Sequence, residues 1–408
     1  MTIANAQPIA VQSVNTAGWR TVVASAIGLS VGPSCLTLLA FGGFIAPLEA
    51  EFKWGVPAIS LGASIISIMI VILSPIQGAL VDRFGGRCLI LWSVPVFAAS
   101  LAAMFYLPNN IIMFYLAWIV IPICGLGVWP ISYLRSTAGW FDQKLGLALG
   151  FCNAGIGVGT MLIPLITAYL IGVYGWREAY LGLALLALMA WPVAYFLLSD
   201  PVPGRGAIVL AGENVREAAT SRPFWIASVA FFLLGVLTSS IVVHQTRVMI
   251  DAGIPPTTAT SIPAVFGLAL LLARVVVGWL LDRFSAGPIM TILLLGGIVA
   301  TVLYARGPSV PEAIVAAALV GAITGAEFDV LSFMIPRYHG RKSFGKLYGL
   351  LYAIFQLGAA IGIAALGSSR GSFGSYALGM YVLAGVSFVT ALLFMTLGPY
   401  KYGADSHG

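Results

Sequence analysis

Apolar residues run along this chain in long, unbroken blocks. They fall near 21–46, 57–80, 88–107, 111–134, 145–172, 179–198, 223–246, 258–281, 288–304, 311–335, 347–368 and 375–396. A helix crossing the hydrocarbon core of a bilayer needs roughly 20 apolar residues. A spanning barrel would instead alternate apolar and polar positions, which these blocks do not. The pattern therefore predicts an all-α, polytopic membrane protein of 12 transmembrane helices. One longer connection, 199–222, is polar, with Pro and Gly at Asp200-Pro-Val-Pro-Gly204. It divides the chain into a six-helix bundle at 1–198 and a second at 223–408.

Composition agrees: 60% of the 408 residues are apolar and 8% charged, against about 25% charged in soluble domains. A soluble enzyme, a nucleic-acid binder and a disordered chain are excluded, and the expected surroundings are a lipid bilayer. Basic residues set the orientation. Of the 20 Lys and Arg, fourteen lie in loops on the side of the N-terminus, five lie opposite, and Arg274 lies within a block. By the excess of positive charge in cytoplasmic loops, both termini are expected inside, in the cell's inner (plasma) membrane. The net charge of +6 then reports those loops and implies no acidic partner. Cys35, Cys88, Cys124 and Cys152 sit in or beside apolar blocks without C-x-x-C spacing, so they read as packing residues, with no metal or cofactor implied. Residues 1–17 lack a basic n-region, so no cleaved signal is expected.

The halves echo each other. Gly78-Ala-Leu-Val-Asp82-Arg83-Phe84-Gly85 returns 200 residues later as Gly278-Trp-Leu-Leu-Asp282-Arg283-Phe284-Ser285, and Gly146–Gly150 is loosely repeated at Gly345–Gly349. Internal duplication marks secondary transporters, which hold substrate near the midplane between rocking repeats.

Gly78 to Arg87 resembles the signature loop of the major facilitator superfamily, and 278–287 its degenerate partner. The segment Trp140-Phe141 through Lys144, Gly150, Asn153 and Gly155 resembles the fifth-span entry of monocarboxylate porters. Those usually carry arginine where this chain has Leu145. The resemblance implies the superfamily's fold of two pseudo-symmetric six-helix bundles, in its monocarboxylate and oxalate–formate branch.

Three charges sit well inside apolar blocks: Arg274, Glu327 and Asp329. Each costs about 2.5–3.5 kcal/mol at the membrane centre, so each needs a reason. Arg274 stays ionised, and its planar fork matches a carboxylate through two parallel hydrogen bonds. In the resembled branch an arginine in the eighth span anchors the substrate carboxylate. The other reading of Arg274 is a pairing with Glu327 that holds helices together. Glu327 and Asp329 are about 200° apart on a regular helix, so both can face one cavity only if the helix is irregular at Thr324-Gly325. Glu327 is favoured for the cavity and the pairing with Arg274, with both residues as candidates for proton coupling: substrate takes Arg274, and the released carboxylate protonates.

Tyr348, Tyr352 and Gln356 form a polar stripe at i, i+4, i+8, either lining a pore or packing helices. Oxalate-type relatives carry a lysine in this helix, and this chain has none beyond Lys346. The resemblance thereby implies a single-carboxylate substrate. Asn153, Ser132 and Tyr133, with Trp129, are further candidates for the substrate cavity. Asp82, Arg83 and Arg87, with Asp282 and Arg283, are expected to gate the inner face through carboxylate–guanidinium contacts or, on the other reading, only to fix topology. His244 is either a pH-responsive gate or a solvated interfacial residue. Gly28-x-Ser30-x-Gly32 has no acid–histidine pair and, with Pro33, is expected to bend the first helix. The expected protein is a monomeric secondary transporter carrying a small organic monocarboxylate with protons by alternating access. Exchange of the oxalate–formate kind and multidrug efflux are the alternatives; an enzyme is not expected.

Overall fold

The apolar blocks fold as helices, and glycine, proline and capping residues set their ends. The structure, a computed structural model, describes residues 7–201 and 212–402. In chain order the α-helices are α1 (Gln7–Ser30), α2 (Phe41–Phe52), α3 (Val56–Phe84), α4 (Gly86–Ala103), α5 (Ile111–Cys124), α6 (Pro130–Ala138), α7 (Leu145–Tyr174) and α8 (Trp176–Leu197). After the central loop come α9 (Val215–Ala218), α10 (Arg222–Asp251), α11 (Pro256–Ser261), α12 (Pro263–Leu281), α13 (Ala286–Ala305), α14 (Val310–His339), α15 (Phe344–Phe373) and α16 (Ala377–Met395). Arg205 and the rest of residues 202–211 in the expected loop lie outside the described residues.

Among the described residues, 11 helical stretches are long and apolar enough to cross a membrane. The expected block at 111–134 is not one of them. It breaks into α5 and α6 around a 3-10 turn at Leu126–Val128. Gly125 ends α5, its N–H donating to Ile121 O at 2.9 Å, and Pro130, with its preset φ and no N–H, opens α6. The first block also breaks. Pro33 follows α1, and a π-helical stretch, Ser34–Leu39, leads into α2, which is the bend expected at Gly32-Pro33. Elsewhere the ends are conventional. The Ser309 N–H donates to Glu312 Oε2 at 2.8 Å where α14 begins, and Gly340, at φ 75°, ends it.

The lateral surfaces are apolar: Leu165 is 68% exposed, Phe196 73%, Ile292 69% and Met395 65%. Single exposed apolar residues are ordinary in soluble proteins, but so many along every long helix suit lipid as the solvent.

The chain sorts into two compact units. One holds the described residues of Met1–Gln143, Phe151–Ala211 and Arg341–Gly349; the other holds those of Lys144–Gly150, Gly212–Gly340 and Leu350–Gly408. In the first unit, α4 packs on α8 and α3 on α5; in the second, α14 packs on α12 and α13, and α13 on α16. The starts of α7 and α15 are thus grouped away from the rest of their own helices. Glycine explains the closeness. A Cβ on Gly78 would stand 2.0 Å from Gly345 O, and one on Gly278 would stand 2.5 Å from Gly146 O. The repeat in the sequence is a repeated backbone contact.

Candidate functional site

Arg274 lies on α12 and is 3% exposed. Its Nη1 stands 3.7 Å from Asp329 Oδ1 on α14, an ion pair too long for a hydrogen bond. Its Nε and Nη1 have no hydrogen-bond partner among the described residues. Glu327, 2% exposed, accepts through Oε2 from the Thr238 hydroxyl of α10 at 3.0 Å, and Arg274 lies within electrostatic range. The pairing with Arg274 expected for Glu327 is therefore made by Asp329.

The reason is helical geometry. α14 is a continuous α-helix through Thr324-Gly325, so the irregularity that could have turned both carboxylates one way is absent. Gly325 serves packing instead, since a Cβ there would stand 2.4 Å from Leu270 O. Between the two acids, Phe328 packs edge-on against Tyr352 at 5.3 Å and Phe355 at 5.0 Å on α15. Tyr352 and Gln356 are partly exposed and Tyr348 is buried.

The first unit holds the other expected substrate contacts. Ser132 on α6 takes a hydrogen bond from Gln77 Nε2 at 3.0 Å, and the same amide donates to Trp129 O at 3.1 Å. Tyr133 is fully buried, its ring lying where a Cβ on Gly28 would come within 2.5 Å. Asn153 is fully buried on α7.

The expected gating residues divide. Asp82 accepts from Gly345 N at 2.9 Å and Lys346 N at 3.0 Å, and its guanidinium partner is Arg135, at 3.6 Å. Asp282 mirrors it, accepting from Gly146 N at 2.7 Å and Leu147 N at 2.9 Å. Each carboxylate thus meets the positive, hydrogen-bond-poor start of a long helix. Burial raises the Asp282 carboxyl above the ordinary range despite the N–H groups of Leu147 and Gly146 and the charges of Arg337 and Arg283.

Among the described residues, the guanidinium groups of the other three form no ion pair with a carboxylate at contact distance. Arg83 is exposed beside the Phe84 ring. Arg283 stacks on Trp279, 3.7 Å from the ring centre. Arg87 donates to Tyr195 O at 2.9 Å, and its backbone N–H donates to Asp200 at 3.0 Å. His244 is half-buried and bridged, with Nε2 3.2 Å from Ile363 O and Nδ1 3.3 Å from the Tyr376 hydroxyl.

Sequence reasoning missed Thr238, Gln77 and Arg135. The first two are polar side chains inside apolar runs, which is a signal. Arg135 was legible only as a topology charge. It also missed a clasp at the end of α14. The Glu213 carboxylate accepts from His339 Nδ1 at 2.8 Å and Lys401 Nζ at 2.6 Å, while Lys401 N and Tyr402 N donate to Arg337 O.

The bovine (Bos taurus) monocarboxylate transporter 13 is 27% identical over 380 residues, covering 88% of this chain and 83% of that one. An uncharacterized MFS-type transporter of Escherichia coli K12, YhjX, is 23% identical, covering 84% and 85%. Among solved structures, the proton:xylose symporter XylE superposes with a TM-score of 0.74 at 13% identity, covering 95% of this chain and 97% of that one. The human organic anion transporter MFSD10 gives 0.70 at 14%, covering 92% and 99%. At such identity these two likenesses show the fold alone. The family model described as the Major Facilitator Superfamily matches residues 27–305 and 245–407. By that match the chain belongs to the major facilitator superfamily of membrane transporters.

Proposed function

We propose that the protein is a proton-coupled secondary transporter of a small organic monocarboxylate. It has twelve spans, the broken α5–α6 segment counting as one, and both termini in the cytoplasm. The observation that carries this reading is Arg274, a buried guanidinium whose Nε and Nη1 make no hydrogen bond among the described residues and whose Nη1 stands 3.7 Å from Asp329. Unmade hydrogen bonds on a buried donor cost about 1–3 kcal/mol, more on a charged one. An incoming carboxylate would take one of those donors together with Nη2 in two parallel bonds of roughly 2.7–2.9 Å, in competition with Asp329. The name of the bovine relative, a monocarboxylate transporter, supports the substrate class.

Coupling follows from charge. In this reading substrate takes Arg274, and the carboxylate it releases takes up a proton. Anion and proton then cross together without net charge. Alternating access requires the carboxylates of Asp82 and Asp282 to leave the helix starts they cap. Tyr352 and Gln356 are the further substrate contacts of the second unit in this reading, and Asn153, Ser132 and Tyr133 those of the first.

The test is uptake into proteoliposomes. Lactate, pyruvate, benzoate, oxalate and formate are offered with and without an inward proton gradient. One or more single carboxylates should accumulate uphill in the wild type; Glu327→Gln should lose accumulation yet keep counterflow. Uphill uptake in that variant would refute the coupling role. Gradient-independent exchange of oxalate in the wild type would favour an exchanger.

A further inference from the structure

Thr238 sits within α10 and is 2% exposed. Its Oγ1 lies 2.9 Å from Leu234 O, one turn back, and 3.0 Å from Glu327 Oε2. A hydroxyl has one proton to donate and lone pairs to accept with, whereas a carbonyl only accepts. Beside an ionised Glu327, these two bonds cannot form together, because both ask for the same proton. Beside a protonated Glu327 they can: the acid O–H donates to Thr238 Oγ1, and the Thr238 O–H donates to Leu234 O.

We propose that Thr238 is a positioning residue for Glu327, a hydroxyl that turns between two acceptors as the carboxylate gains and loses its proton. When Glu327 is ionised, the hydroxyl proton points at Oε2, and Leu234 O keeps its helical bond. When Glu327 is protonated, the hydroxyl turns to Leu234 and accepts from the acid. The buried side chain thus has a partner in both states, which a group out of water requires. Thr238 does not relay the proton, since the Leu234 carbonyl cannot pass one on. The proton exchanged by Glu327 enters and leaves by another path. Among the described residues, Arg274 on α12 and Tyr352 on α15 lie within electrostatic range of Glu327. Asp329 shares its helix but projects about 200° away.

This inference rests on the coupling role proposed for Glu327, and one experiment separates the two. Infrared difference spectra of the purified, reconstituted protein between acid and alkaline pH report the C=O stretch of each carboxylic acid that titrates. The band lost in Glu327→Gln belongs to Glu327. In Thr238→Val, a near-isosteric change, that band should move to higher wavenumber as its hydrogen bond disappears, and in Thr238→Ser it should return. If Thr238→Val does not reach the membrane, Thr238→Ala gives the same reading. A Glu327 band unmoved by loss of the hydroxyl overturns the role of Thr238 and leaves coupling intact. No band lost in Glu327→Gln overturns both.

Discussion

The backbone of Gly150 lies directly on the turn that carries Arg274: a Cβ built on Gly150 would stand 2.4 Å from the Arg274 carbonyl oxygen. That oxygen belongs to helix backbone and cannot swing aside as a flexible side chain could. α7 and α12 meet here because one of them has no side chain at the contact, and the position of the buried guanidinium depends on it.

Gly150→Val should therefore force the helices apart. Overpacking of this kind costs about 1–3 kcal/mol. The melting temperature in detergent should fall by several degrees, and transport should fall further than Gly150→Ala makes it fall. Unchanged melting and uptake in both variants would remove the contact from consideration.

Gln77 holds the broken span. Its amide donates to Trp129 O and Ser132 Oγ, just where α6 begins. Gln77→Leu fills similar space but leaves that carbonyl with the Ser132 N–H alone, a loss of about 0.5–1.5 kcal/mol. Gln77→Glu puts an acceptor where a donor is needed and should be worse. Thermal unfolding of the purified variants checks the order wild type, Leu, Glu.

Glu213 gives a pH dependence with a definite sign. Burial raises its carboxyl, but hydrogen bonds from Lys401 and His339 and their charges outweigh burial and hold it below the ordinary range. A depressed carboxylate adds stability above its unfolded value, and the contribution is lost as pH falls through the folded value. Acidification below about pH 4 should loosen the clasp on α14 and lower the melting temperature. Glu213→Gln should melt lower at neutral pH and lose that part of the acid slope. A parallel acid slope in the variant would assign it to other groups.

Much of this was legible in the chain. The apolar blocks marked the long helices, because a run of nonpolar side chains must find lipid or a core. The echo of Gly78–Gly85 at Gly278–Ser285 marked the two aspartates that cap helix starts. Hydropathy reports burial, however, and not the path of the backbone. The block at 111–134 therefore read as one span although it turns at Gly125–Trp129, and only Gly125-x-Gly127 and Trp129-Pro130 signalled the turn. The partner of Arg274 was illegible for a related reason. A helical wheel separates Glu327 from Asp329 without saying which direction α12 occupies. Arg87 is expected among the carboxylate–guanidinium contacts of the gate, whereas its contacts come from Tyr195 and Asp200, more than 100 residues away.

The most direct measurement is thermal stabilisation of the purified protein by lactate, pyruvate, benzoate, oxalate and formate, with Arg274→Ala and Arg274→Lys alongside. At least one single carboxylate should raise the wild-type melting temperature. The shift should vanish in Arg274→Ala and shrink in Arg274→Lys, which keeps the charge but loses the planar fork. An equal shift in Arg274→Ala, or stabilisation by cationic drugs and by none of the acids, would contradict the assignment of Arg274 as the carboxylate anchor.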